Sequence, residues 1–248
     1  TTEIYTLSLH DALPISGAGQ DKARVIGTET ASGGILRTSA GDEMRIVVLA
    51  SGNGTNLQAL IDATHARGSL SGVRLAAVIS DKPEAFALER ARRAGIPAVA
   101  FPFARGTPRP ACDAALARTV SEYRPDFVLL LGWMRILTNA FLSRFPGAVV
   151  NLHPALPGTF PGTHSIERAL AAYQEGRITA TGVMTHFVPD EDVDSGPVIA
   201  LTTVAIMPDD DLASLEARVH DAEHALVVET VRSLYILRKH TVNGGDEV

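Results

Sequence analysis

Three short segments carry side chains whose types and spacing could do chemistry, at residues 51–56, 151–154 and 190–197. The first reads Ser-Gly-Asn-Gly-Thr-Asn and joins an apolar run to a helical pattern. Glycines let the backbone approach an anion closely, and the free amides and positive dipole at a helix start attract it. The segment lacks both the GxGxxG spacing and the lysine of a P-loop. It therefore predicts a phosphate site, with an ordinary capped turn as the alternative.

The second segment places Asn151 and His153 at the end of an apolar run that predicts a strand. Residues two positions apart in a strand share a face, so both side chains point into one space. An amide and an imidazole there could stabilise an oxyanion, and the imidazole could also pass a proton. The alternative is a structural pair tied to a neighbouring loop.

The third segment holds four carboxylates in the five residues 190–194. A solvated turn would explain this composition. A carboxylate that reached His153 would instead favour the imidazolium and raise its pKa, each unit corresponding to about 1.36 kcal/mol. We therefore expect a protonated His153 that can stabilise a negative tetrahedral intermediate.

Alternating strand and helix patterns from Met44 onward must position these segments. Apolar and β-branched runs predict strands at residues 45–51, 73–80, 97–103, 126–133, 148–154, 181–188 and 196–206. Helical spacing predicts helices at residues 56–68, 87–95, 113–124, 165–176 and 210–237. Repeated strand–helix units predict an α/β fold with a doubly wound, mostly parallel sheet flanked by helices, Rossmann-type in its N-terminal half. Ligands of such a sheet bind beyond the carboxyl ends of its strands.

The composition of the chain narrows the classes of function. Its 248 residues are 46% hydrophobic, with a mean hydropathy of +0.12 and a formal net charge of −6. This charge argues against a general nucleic-acid binder, which must neutralise several phosphates. No run is apolar for the roughly 18 residues that cross a bilayer, so we expect a cytoplasmic protein without a membrane partner. The single cysteine, Cys112, cannot form an internal disulfide, and no ligand cluster predicts a metal.

Residues 1–43 differ from the rest of the chain. They are rich in Thr, Ser, Gly and Ala and show no sustained period, and residues 3–16 resemble translated sequencing-adaptor read-through. We expect a non-native or disordered leader, with the natural start at Met44. A single catalytic domain would then span residues 44–240, with residues 241–248 as a C-terminal tail.

Five motifs together resemble the phosphoribosylglycinamide formyltransferases, a family of folate-dependent formyltransferases. In chain order they are SGNGTNLQALID, GWMRIL, NLHPALPGTFPGTH, HFV and DSGPVI. Five ordered matches are more specific than any one of them. The resemblance implies the formyltransferase fold and transfer of a formyl group from 10-formyltetrahydrofolate, a cosubstrate, to the amine of glycinamide ribonucleotide in purine biosynthesis, without a metal.

The resemblance also implies roles for individual residues. The catalytic set would be Asn151, His153 and Asp194. The residues expected to bind the ribonucleotide are Gly54, Thr55 and Asn56 at its phosphate and Glu223 at its ribose. The residues expected to border the folate are Arg109, Met134, Arg135, Ile136, Leu137, Asn151 and His186.

Two other readings of the sequence stay open. A formyl-folate enzyme with another acceptor, such as a methionyl-tRNA formyltransferase or a formyltetrahydrofolate hydrolase, would be expected to add a basic C-terminal or an N-terminal regulatory domain. A non-catalytic nucleotide-binding or sensor module could use a similar sheet, because a fold alone does not establish function. For the enzyme we expect small-molecule partners only, in a monomer or homodimer.

Overall fold

The computed structural model describes residues 4–6, 43–65 and 68–243, with the backbone alone at residues 4–6 and 240–243. Its strands are β1 (Ile4–Thr6), β2 (Met44–Leu49), β3 (Val73–Ser80), β4 (Ala98–Ala100), β5 (Phe127–Leu130), β6 (Val149–His153), β7 (Ala180–Phe187) and β8 (Val198–Ala205). Its helices are α1 (Thr55–Thr64), α2 (Phe86–Arg93), α3 (Arg109–Glu122), α4 (Asn139–Leu142), α5 (Ser165–Gln174) and α6 (Leu212–Asn243). No helix in the described part of the chain is both long and apolar enough to cross a bilayer.

The strands form one sheet in the order β1-β8-β7-β6-β5-β2-β3-β4. Strands β2 to β6 pair in parallel, which confirms the predicted doubly wound, mostly parallel α/β sheet. Strands β7 and β8 pair antiparallel with their neighbours, a direction that the sequence patterns did not predict. The connection between them is shorter than the dozen or more residues that a parallel crossover needs.

Strand β1 comes from the segment expected to be a leader. It pairs antiparallel with β8, where Ile4 lies opposite Thr202. The remaining expectations for residues 1–42 and for the end of the tail lie outside the described residues. Helix α6 continues to Asn243, past the expected domain boundary at residue 240.

The burial of the central strands fits a sheet that is covered by helices on both faces. Every residue of β5 is buried, and in β2 only Arg45 is partly exposed. Such continuous apolar runs suit parallel strands between two helical layers. Each fully buried Val, Ile or Leu contributes about 1.5–3 kcal/mol of transfer free energy.

The strand order places the candidate site at the carboxyl ends of β2 and β5. Strand β2 lies between β3 and β5, so the chain leaves these central strands in opposite directions and opens a crevice between them. The Ser51 amide donates to the carbonyl of Gly132 at 3.0 Å, and the Met134 amide donates to Oγ of Ser51 at 3.1 Å. The two loops that follow β2 and β5 are therefore held together.

Helix α6 completes the site from the far end of the chain. Asp211 and Ser214 cap its start reciprocally: the Ser214 amide donates to Oδ1 of Asp211 at 2.8 Å, and the Asp211 amide donates to Oγ of Ser214 at 3.1 Å. This capping explains why the helix begins at Leu212 rather than at Asp210. The helix then packs on α1, β7 and β8.

Candidate active site

Asp194 connects the side chains predicted to be catalytic. Its Oδ2 lies 3.2 Å from Nδ1 of His153, and its Oδ1 accepts a hydrogen bond from Nδ2 of Asn151 at 2.9 Å. The side chains of His153 and Asp194 are only 5% and 7% exposed. Three residues from two distant segments therefore form one buried cluster, as their predicted roles require.

His186 belongs to the same cluster because β6 and β7 pair with Asn151 opposite His186. Nδ1 of His186 lies 2.9 Å from the carbonyl oxygen of Phe187, so this nitrogen carries the proton in the neutral ring. Nε2 lies 3.2 Å from Nδ2 of Asn151 and accepts a hydrogen bond from it. His186 thus fixes the orientation of the Asn151 amide.

Unusual backbone conformations bring Asp194 to the histidines. Three of the four non-glycine residues with positive φ in the described part of the chain lie here: Phe160 at 46°, His164 at 59° and Asp194 at 53°. The amide of Gly162, between the first two, donates to Oδ2 of Asp194 at 2.8 Å. Such conformations cost about 1–3 kcal/mol each and cluster at functional sites.

The pKa of His153 departs from the prediction. Burial lowers it, and the Asp194 carboxylate and the Phe160 carbonyl, which both raise it, do not compensate, so the pKa lies below its ordinary value. The expectation that the pKa of His153 is raised is therefore wrong. The attraction to Asp194 raises the pKa of His153 as expected, but burial lowers this pKa by more.

Both ring nitrogens of His153 nevertheless face acceptor oxygens. Nδ1 faces the carboxylate of Asp194, and Nε2 lies 3.1 Å from the carbonyl oxygen of Phe160. A neutral imidazole has one N–H group and can satisfy only one of these contacts. Uptake of a proton would complete both hydrogen bonds, so the ring is arranged to receive one.

Asp194 stays ionised in this setting. Burial acts to raise the pKa of its carboxyl, but the contact with His186, the hydrogen bond from the Gly162 amide and the proximity of His153 lower it more, to below its ordinary value. Asp190 and Asp192, by contrast, are exposed, and the Asp192 amide donates to Oδ1 of Asp190 at 3.0 Å. The solvated-turn interpretation thus applies to these two carboxylates and fails for Asp194.

The loop predicted to bind phosphate leads into helix α1, whose N-terminus has no side-chain cap. Gly54 is the N-cap of α1 with φ of 76°, and no described side chain caps this helix. The amides of Thr55 and Asn56 are therefore free to receive an anion. A Cβ at Gly54 would lie 2.8 Å from Cβ of Ala87, so the close approach requires glycine.

Glu223 reaches this loop from α6. Its Oε2 accepts a hydrogen bond from Nδ2 of Asn56 at 3.1 Å, and the residue is 6% exposed. Nδ1 of His220 lies 2.9 Å from the same oxygen, and this hydrogen bond raises the pKa of His220 above its ordinary value. Sequence reasoning found Glu223 and missed His220, although their spacing of three residues on a helix indicates contact.

In the segment predicted to border the folate, exposed side chains alternate with side chains that are ion-paired or buried. Met134 and Ile136 are 66% and 50% exposed, whereas Leu137 is 3% exposed and packs in the core. Nε of Arg135 donates to Oδ2 of Asp81 at 2.7 Å, just after β3. Sequence reasoning missed Asp81, whose position directly after a buried strand is the pattern that could have indicated it.

Arg109 stands apart from these groups. It is exposed at the first residue of α3, and its guanidinium makes no ion pair with any residue that the structure describes. Cys112, three residues later, is buried with a free thiol. Within the described ranges, no group of three or more His, Cys, Asp or Glu side chains is arranged to hold a metal ion.

Comparison with known proteins shows the family of this chain. The family model described as formyl transferase matches residues 44–231. The chain is 42% identical over 202 residues to a phosphoribosylglycinamide formyltransferase of Dictyostelium discoideum, covering 76% of this chain and 97% of the relative. It is 43% identical over 183 residues to the Escherichia coli protein of the same name, covering 74% and 83%.

Solved structures give the same result. The glycinamide ribonucleotide transformylase 1 of Symbiobacterium toebii superimposes with a TM-score of 0.73 at 39% identity, covering 80% of this chain and 90% of that one. The family match covers most of the chain, and the relatives are matched over nearly their whole length. The chain therefore belongs to the formyl transferase family, among the phosphoribosylglycinamide formyltransferases.

Proposed function

We propose that this chain transfers the formyl group of 10-formyltetrahydrofolate to the amine of 5'-phosphoribosylglycinamide, in de novo purine biosynthesis. The products are 5'-phosphoribosyl-N-formylglycinamide and tetrahydrofolate. The observation that carries the proposal is the buried cluster of Asn151, His153 and Asp194 in a sheet whose neighbouring loop leads into an uncapped helix start. We place the reaction in the cytoplasm, in a monomer or homodimer.

The ribonucleotide fits the end of the site formed by α1 and α6. Its phosphate would accept hydrogen bonds from the free amides of Thr55 and Asn56 after Gly54. Glu223 is held by Asn56 through one carboxylate oxygen. The other oxygen is then available to accept a hydrogen bond from a ribose hydroxyl, as a carboxylate can accept several.

The folate fits beside the loop that follows β5. The exposed side chains of Met134 and Ile136 offer an apolar surface to a flat ring. The backbone of residues 135–137 supplies hydrogen-bonding groups, with the side chain of Leu137 held in the core. In this proposal Asn151 and His186 would close the side toward the reacting carbon, and the exposed Arg109 would lie at the outer edge.

The chemistry follows from the buried cluster. The uncharged amine attacks the formyl carbon, a carbon–nitrogen bond forms, and negative charge develops on the formyl oxygen. Asn151 and the imidazolium of His153 donate to that oxygen. To do so, each of the two groups exchanges one present contact for it: Nδ2 of Asn151 leaves His186, and Nε2 of the imidazolium leaves the Phe160 carbonyl. Each such donor lowers the barrier by roughly 3 kcal/mol. An anion beside His153 acts to raise the pKa of the ring and so opposes the effect of burial as the charge develops.

Asp194 assists the transfer of a proton from the attacking nitrogen to the folate nitrogen. The attacking nitrogen loses a proton, and the folate nitrogen gains one when its bond to the formyl carbon breaks. The Asp194 carboxylate is ionised and lies against His153, so it can position a water that relays this proton and can stabilise the imidazolium. Proton transfer by such positioned groups typically contributes about 10²- to 10⁴-fold in rate.

The proposal is tested by giving the purified protein 10-formyltetrahydrofolate with each of three acceptors: glycinamide ribonucleotide, an aminoacylated initiator tRNA, or water alone. We expect formyl transfer to the ribonucleotide only. Transfer to the tRNA or to water with a comparable kcat/KM would refute the acceptor assignment. Binding of the ribonucleotide without transfer would instead support a sensor module.

A further inference from the structure

Arg90 ties helix α2 to the phosphate loop, defined here as residues 51–56. Its Nε donates to the backbone oxygen of Asn53 at 2.9 Å, and its Nη2 donates to Oδ1 of Asn53 at 2.7 Å. Its Nη1 donates to Oε1 of Gln58, on the first turn of α1, at 3.0 Å. All three guanidinium nitrogens therefore bridge the residues on either side of Gly54. A planar fork can make these contacts together, whereas a lysine ammonium cannot.

The position of Arg90 is fixed by Phe86, one helical turn earlier. The guanidinium carbon lies 4.8 Å from the centre of the Phe86 ring. Arg93 packs on the same ring at 5.4 Å, but its Nε pairs with Glu89 at 2.9 Å, away from the loop. Arg93 thus shares the helix, the ring and the charge of Arg90 without its loop contacts.

The start of α2 also supports the loop directly. The amide of Ala87 donates to the carbonyl oxygen of Gly52 at 3.1 Å, and Cβ of Ala87 leaves no room for a side chain at Gly54. The loop itself is exposed at Gly52 and Asn53. An exposed glycine-rich loop has many conformations, so contacts from a neighbouring helix decide which one it keeps.

We propose that Arg90 is a positioning residue for the phosphate of the ribonucleotide. By holding Asn53 and Gln58, it keeps the amides of Thr55 and Asn56 pointed at one anion. The inference rests on the proposed function, because it assumes that this loop binds the ribonucleotide phosphate. Binding to a loop that is already ordered avoids the entropy of ordering it, so loss of Arg90 weakens binding without touching the reacting groups.

The test compares Arg90→Ala, Arg90→Lys and Arg93→Ala in steady-state kinetics, varying each substrate in turn. We expect both Arg90 variants to raise the KM for glycinamide ribonucleotide roughly 10- to 100-fold, as the loss of hydrogen bonds to a charged group allows. The KM for 10-formyltetrahydrofolate and kcat should stay within about twofold, the behaviour of a group remote from the chemistry. Arg93→Ala should leave all three values unchanged.

Two additions keep the test decisive. Asn53→Ala removes only one of the three acceptors and should raise the same KM less than Arg90→Ala does. Thermal unfolding of each variant identifies any general loss of the fold. If Arg90→Ala does not fold, Arg90→Lys and Asn53→Ala decide the question.

Each result has a distinct meaning. Wild-type protein that fails to formylate the ribonucleotide refutes the proposed function before any variant is compared. If the wild type is active, a ribonucleotide KM in Arg90→Lys equal to that of the wild type overturns the inference, because charge alone then suffices. An equal rise in the folate KM also overturns it, because the effect is then general loosening of the fold.

Discussion

Replacement of Asp194 by Asn tests whether the carboxylate, rather than the shape of this side chain, supports the reaction. Asn tolerates the left-handed conformation that residue 194 adopts, with φ of 53°. Both carboxylate oxygens accept hydrogen bonds from donors, Oδ2 from the Gly162 amide at 2.8 Å and Oδ1 from Asn151 at 2.9 Å. An Asn side chain has only one acceptor oxygen, so its amide group must face one of these donors.

The expected loss follows from these contacts. One hydrogen bond to a charged group is lost, about 1.5–3 kcal/mol. The pKa of His153 falls further, because the carboxylate 3.2 Å from its Nδ1 no longer opposes the effect of burial. Since both the proton relay and the charged donor are impaired, we expect kcat to fall about 10²- to 10⁴-fold. The KM for the ribonucleotide should change less than about threefold, because the phosphate contacts are untouched.

The assay follows the absorbance change of the folate as its formyl group leaves, and circular dichroism checks that the variant is folded. Asp192→Asn is the matched control, because it makes the same change at an exposed position of the same loop. The control should be fully active. A folded Asp194→Asn variant with a kcat within about threefold of the wild type would refute the reasoning, since neither the relay nor the charged donor would then matter.

Three further changes test other parts of the site. His220→Gln removes a group whose pKa is raised by its hydrogen bond to Glu223. The stabilisation from that contact is complete below about pH 6.5 and fades as the pH rises through the folded-state pKa, so urea unfolding should show the wild type losing its advantage as the pH rises above about 6.5. No pH dependence of that difference would contradict the assignment. Gly54→Ala, at φ of 76°, should destabilise the fold by about 1–3 kcal/mol and raise the ribonucleotide KM; an unchanged denaturation midpoint would show that the loop relaxes. Asp81→Ala frees Arg135 and should raise the KM for the folate by about 3- to 10-fold, whereas an unchanged value would mean that this ion pair does not shape the folate loop.

Local patterns were sufficient to predict most of the parallel half of the fold. Strand β3 is an apolar run that follows Gly72 and stops before Asp81, and the structure has it over the predicted residues 73–80. Asn151 and His153 were placed together from strand periodicity alone. These features depend on residues that are neighbours in the chain, and a single sequence displays them directly.

Features that depend on distant contacts were not predicted. The antiparallel direction of β7 and β8 follows from how the chain returns to the sheet. Their residues would suit either a parallel or an antiparallel strand. The three bonds of Arg90 join segments that a helical pattern cannot relate, and on sequence grounds Arg90 resembles its exposed neighbour Arg93. The pKa of His153 had the wrong predicted direction because burial is a property of the assembled fold.

The burial that lowers the pKa of His153 also explains how the proposed site can stabilise the transition state more than the bound substrates. When the ring is neutral, one ring nitrogen of His153 faces an oxygen without a hydrogen atom between them, and Phe160 and Asp194, which both have positive φ angles, supply these oxygens. A proton on the ring completes both contacts, but burial opposes the charge until an anion forms beside it. In the proposed reaction, the imidazolium would therefore be stabilised most when the formyl oxygen becomes negative. Interactions that strengthen only at that point lower the barrier without tightening the binding of the substrates.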